Sequence, residues 1–151
     1  MPAPALPPVV TPQDAILLYD GLCGFCDGSV RWMLQHDRNH RLYFAPQQSA
    51  LAQTIFAHYG VEEQIPDSTL LLLIHPGTRE ERLLMQSDAV LQAYRLLGGP
   101  WRFVASVLGI TPRPLRDTVY RLIARHRHAI ADKRAECRIP TPEERSRFLG
   151  L

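Results

Sequence analysis

Hydrophobic and polar positions alternate along this chain in blocks that read as short strands and amphipathic helices. Ala15-Ile16-Leu17-Leu18-Tyr19 is an unbroken apolar run of strand length, and from Phe25 to Asp37 the apolar residues Val30, Met33 and Leu34 recur at helical spacing. Leu42-Tyr43-Phe44, closed by Ala45-Pro46, predicts a second strand. Ser49 is placed to cap a helix through Tyr59, with Leu51, Ile55 and Phe56 inward and Gly60 as its stop. Thr69 to Ile74 is another continuous apolar run, suited to a strand covered on both faces. His75-Pro76-Gly77-Thr78 is turn chemistry, after which Arg82 to Gln86 returns as the hairpin partner. Ser87 is expected to open a helix over Asp88 to Leu97, stopped by Gly98-Gly99-Pro100. Trp101 to Leu108 and Leu115 to Lys133 predict two more helices, separated by Thr111-Pro112-Arg113-Pro114. After Ile139 comes a tail whose Thr141-Pro142-Glu143-Glu144 has the form of a capping box before one last short helix.

The order β-α-β-α-β-β-α, followed by two further helices, predicts an α/β chain. At the first strand–helix junction stands Asp20-Gly21-Leu22-Cys23-Gly24-Phe25-Cys26. Two cysteines three apart fit one helical turn, so both sulfurs belong to the start of the helix that follows the strand. Unpaired N–H groups and the positive end of the helix dipole favour a thiolate there. A thiolate is the nucleophile of disulfide exchange, and a second cysteine one turn away can resolve the mixed disulfide it forms. Element order and cysteine placement together predict a thioredoxin-like fold with a helical C-terminal extension. The competing reading is a non-catalytic module whose Cys23 and Cys26 hold zinc or a cluster, completed by Cys137 and a histidine.

Bulk properties narrow these choices. A chain of 151 residues with 46% hydrophobic and 21% charged residues suits one soluble domain with one core. We expect a disordered Pro-rich tail over 1–13, one domain over 14–138 with the helical extension from about 100, and a tail over 139–151. Residues 1–13 lack the basic start of a secretory signal. Three cysteines are an odd count for a disulfide framework, so a cytoplasmic, reducing setting is expected. Between Arg113 and Arg138, eight Arg/Lys oppose three acids, an excess of +5 within a chain of net +2. Tyr120 is the single aromatic residue among these arginines, too few for a stacking surface, so neither nucleic acid nor membrane is expected as a partner. The segment reads instead as a solvated basic face beside a core-facing stripe of Leu115, Val119, Leu122 and Ile123.

The D-x-x-C-x-x-C signature resembles that of the DCC family of predicted thiol-disulfide oxidoreductases. Phe44 with Gln48-Ser49, Ser87-Asp88-Ala89, Trp101, Tyr120 before Arg125-His126-Arg127, and Cys137 are similar to the same family pattern. The resemblance runs from about Ala15 to Cys137 and implies a thioredoxin-like fold with redox activity. The expected catalytic residues are Cys23 as attacking thiol, Cys26 as resolving thiol, and Asp20 as proton acceptor for Cys26 or as the Asx turn that shapes the loop. Gly24, Phe25, Ser68, Ser87 and Asp88 are the expected substrate contacts. Pro66 falls two residues too early before the third strand for the cis-proline of thioredoxins, so either it ends the preceding loop in trans or, the favoured reading, Ser68 occupies that position. Ser87 and Asp88, at a helix start, would hold the γ-glutamyl end of glutathione or serve as a plain N-cap. No resident cofactor or metal is expected. The partners would be a protein disulfide or a glutathione-type small thiol, Trp101 and Tyr120 would be core or groove aromatics, and Cys137 would be accessory.

Overall fold

The computed structural model describes residues 6, 10–22, 24–63, 70–130 and 140–149. Its elements are β1 (Ala15–Tyr19), α1 (Gly24–His36), β2 (Leu42–Pro46), α2 (Ala50–Tyr59), β3 (Leu70–Ile74), β4 (Arg82–Met85), α3 (Gln86–Leu97), α4 (Pro100–Gly109) and α5 (Arg113–Ile130), with a short 3-10 helix at Arg145–Arg147. Four strands form one sheet in the order β2-β1-β3-β4. β1 runs parallel to β2 and antiparallel to β3, and β4 is antiparallel to β3. A parallel neighbour needs a crossover, which α1 supplies.

Both faces of the sheet are covered, and that is why β1 is apolar without alternation. Its side chains alternate in direction, so Ala15, Leu17 and Tyr19 join Val30 and Met33 of α1 and Ala89, Ala93 and Leu97 of α3. Ile16 and Leu18 point the other way, to Ala52, Ile55 and Phe56 of α2 and Leu71 and Leu73 of β3. Two cores thus share one sheet, and the end of β1 is held rigidly between them.

The caps follow local chemistry at α2. Ser49 accepts the Ala52 N–H at 3.2 Å, and Gly60 takes a left-handed φ of 64° that closes the helix. At α3 the expectation fails. Ser87 lies inside the helix, the cap position is Met85 with no side-chain bond, and Gln86 has φ of 55°. The capping oxygen comes from α5: Asp117 Oδ1 accepts the Ser87 N–H at 3.3 Å and the Ser87 hydroxyl.

The C-terminal stretch docks on the sheet edge. Thr141 and Glu144 exchange the two hydrogen bonds of a capping box, at 3.1 and 3.3 Å. Leu149 N–H then donates to Phe44 O at 2.8 Å, and Phe148 packs on Phe44 with ring centres 5.6 Å apart. Arg147 sits under this edge, donating to Leu42 O at 2.8 Å and pairing with the fully buried carboxylate of Asp37. Asp37 also accepts the Leu42 N–H at 2.8 Å.

The apolar stripe of α5 is not core-facing. Leu115 is 56% exposed and Leu122 59%, with Val119 and Ile123 also exposed. Helical periodicity marks an apolar face but does not say what covers it. No helix among the described residues is long and apolar enough to cross a membrane.

Candidate functional site

β1 ends at Tyr19 in the middle of the sheet, and the chain turns through Asp20-Gly21-Leu22 into α1. Side chains fix this turn. Asp20 Oδ1 accepts the Leu22 N–H at 3.0 Å, an Asx turn, and also the Gln48 amide at 2.9 Å. Gln48 Oε1 in turn accepts the Gly21 N–H at 3.1 Å. Gln48 follows β2, the parallel neighbour of β1, so adjacent strand ends clamp the loop that leads into the cysteine pair. The Asx-turn role expected for Asp20 is therefore present in the geometry.

Cys26 lies in the first turn of α1 and is only 1% exposed. Asp27 follows it, 2% exposed and in the same first turn, where the helix dipole favours a negative charge. Sequence reasoning passed over both Gln48 and Asp27 as site residues. An acid immediately after the second cysteine was the available signal for Asp27, whereas nothing local tied Gln48 to the loop. Cys23, Ser68, Cys137 and the side chain of Phe25 lie outside the described residues, as does Pro66. Gly24 is the first residue of α1.

Ser87 and Asp88 are brought to the start of α3 as expected, but both are engaged by α5. Asp88 pairs with Arg113 at 3.1 Å and Arg116 at 3.4 Å, and Arg113 lies 3.5 Å from Asp117. Two acids and two arginines thus close the start of α3, and the Asp117 carboxylate stands where an incoming anion would meet the N–H groups. His126 sits exposed on α5 with Nδ1 2.8 Å from Leu122 O.

Between α1, α3 and α5 lies an open cavity of about 850 Å³. Gly28 and Ser29, just beyond Cys26, form one end, and Trp32, Tyr94, Val119 and Ile123 give it an apolar wall. Trp101 packs edge-on against Trp32 at 4.6 Å, and Tyr120 lines the cavity. Both aromatics occupy the core and groove positions expected of them.

Fold and site together define an α/β protein with a buried cysteine in the first turn of the helix that follows strand β1. Residues 17–133 match the family model of the DCC1-like thiol-disulfide oxidoreductases, and the chain belongs to that family. It is 31% identical over 136 residues to the Bacillus subtilis (strain 168) protein named "Uncharacterized protein YuxK", covering 90% of this chain and 94% of that one. It is 27% identical over 124 residues to the Arabidopsis thaliana "DCC family protein At1g52590, chloroplastic", covering 82% and 69%. No solved structure matches the chain.

Proposed function

We propose that this protein is a thiol-disulfide oxidoreductase working through Cys23 and Cys26 on a thioredoxin-like fold. The burial of Cys26 in the first turn of α1, directly after the central strand, carries the proposal. The strand order β2-β1-β3-β4, with β1 and β2 parallel, supports the fold assignment, and the family name supports the activity.

In the reducing direction, the Cys23 thiolate attacks one sulfur of a substrate disulfide. The S–S bond breaks, a Cys23–substrate disulfide forms, and the first substrate sulfur leaves as a thiolate that takes a proton. Cys26 then loses its proton and attacks Cys23 Sγ. The second substrate thiol departs, and the protein is left with a Cys23–Cys26 disulfide; two electrons have passed to the substrate. A buried resolving thiol at Cys26 suits this order. As acceptor of the Cys26 proton we favour Asp27 over Asp20, since Asp27 is buried in the same first turn of α1 while Asp20 is committed to its loop.

A protein disulfide is the favoured substrate. Glutathione would bring its carboxylate to a helix start already closed by Asp117 and the arginine pairs of Asp88. We place the protein in a reducing, cytoplasmic setting on its odd cysteine count. Equilibration in glutathione redox buffers followed by mass spectrometry tests the proposal. The expected product is a reversible Cys23–Cys26 disulfide, seen as the loss of two hydrogens in the peptide that holds both. A chain whose cysteines never pair with each other across the accessible potentials would refute it.

A further inference from the structure

The large exposed hydrophobic residues gather on one stretch of the molecule. Phe103 (71% exposed), Val107, Leu108, Ile110 (83%), Leu115, Val119, Leu122 and Ile123 all belong to α4, α5 and the turn between them. Contiguous exposed apolar surface of this kind marks an interaction site. Charge accompanies it. Residues 100–130 hold six arginines and one acid, Asp117, and that acid is spent inside the fold on Ser87 and Arg113. Arg113 and Arg116 are paired with Asp88, whereas Arg102, Arg121 and Arg125 have no acidic partner among the described residues.

We propose that this α4–α5 face docks peripherally on an anionic lipid bilayer. A helix with an apolar stripe flanked by arginines is the form that lies in a membrane interface, apolar side down and cations among the headgroups. Ile110 in the α4–α5 turn and Phe103 on α4, the most exposed of these side chains, are the ones that enter the apolar boundary. A second copy of the chain is disfavoured as occupant, because a two-fold contact would set unpaired arginines against each other. A rigid protein partner would also have to match the cavity that opens on this face between Leu108, Leu115, Val119 and Ile123, whereas lipid chains fill such a space without a fixed shape. The sequence reading that set no membrane contact beside a core-facing stripe differs from the structure in the stripe, which is exposed.

Sedimentation of the full chain with vesicles tests this, using phosphatidylcholine alone and phosphatidylcholine with about a third phosphatidylglycerol to supply the negative surface. Binding is expected to the anionic vesicles only and to weaken steeply with salt. Arg121→Gln with Arg125→Gln should reduce partitioning by about 5-fold for each arginine. Phe103→Ser with Ile110→Ser should abolish it, and because both side chains are exposed the thermal midpoint should hardly move. Equal binding to neutral vesicles, or unchanged binding by both double variants, would overturn the proposal. Absence of vesicle binding together with self-association that the same substitutions remove would overturn it in favour of a second copy.

Discussion

Replacing Arg147 with methionine should destabilise the protein by about 3 kcal/mol, although the residue lies close to the chain end. Asp37 has no exposed side-chain surface and Arg147 only 10%, so their ion pair is a buried one. Removing one partner of such a pair strands a charge in a poorly polarisable interior and costs about 3–5 kcal/mol. Undocking of residues 140–149 would admit water to Asp37 and cap the loss, which places the expectation at the lower end. Methionine keeps an unbranched aliphatic stem, so most of the loss reflects the guanidinium and the partners it leaves behind, Asp37 and Leu42 O. A double-mutant cycle isolates the charge. In an Asp37→Asn background the carboxylate is gone, its backbone partners keep an amide oxygen, and Arg147→Met should cost only about 1 kcal/mol. Urea unfolding followed by far-ultraviolet circular dichroism measures all four proteins. A loss below about 1 kcal/mol in the parent background, or the same loss in both, would refute the view that this pair holds the C-terminal stretch to β2.

Other consequences follow from single contacts. Asp117→Ala removes the oxygen that caps α3 from outside and should lower stability by about 1–2 kcal/mol while raising the rate with glutathione, read by unfolding and by a coupled reduction assay. Burial, and then the 2.6 Å hydrogen bond and charge of Glu81, raise the Tyr59 hydroxyl above its ordinary value of 10.0. The folded state therefore keeps a proton that the unfolded chain releases, so this stabilisation is intact below pH 10.0 and declines as pH rises beyond it. Tyr59→Phe should flatten that alkaline decline in pH-dependent unfolding. Asp27→Asn should slow the resolving step by about 10²-fold near neutral pH without slowing the first attack, as rapid-mixing kinetics with a disulfide peptide would show.

Much of the fold was legible because its cues are local. Ser49 and Gly60 bracket α2 by capping chemistry that four or five residues suffice to specify, and the unbroken apolar runs of β1 and β3 follow from a sheet covered on both faces. The start of α3 was misread because Ser87 is a good capping residue type, yet the capping oxygen arrives from Asp117, 30 positions away. The docking of residues 140–149 was hidden for the same reason, since Arg147 meets Asp37 across 110 positions. Periodicity identified the apolar stripe of α5 correctly and its environment wrongly. At the site, the strand–turn–helix setting of Cys26 and the Asx turn of Asp20 were readable. Gln48 was not, because its role exists only once parallel strands bring the ends of β1 and β2 together.

The central claim is the division of labour between the two cysteines, and trapping the exchange intermediate tests it most directly. The Cys26→Ser protein, incubated with a disulfide-bonded substrate, should accumulate a covalent adduct that maps by mass spectrometry to Cys23 and is released by added thiol. Cys23→Ser should accumulate none. Reduction of the substrate by Cys23→Ser at the parent rate, or an adduct mapping to Cys137 with Cys23 left unmodified, would contradict the account.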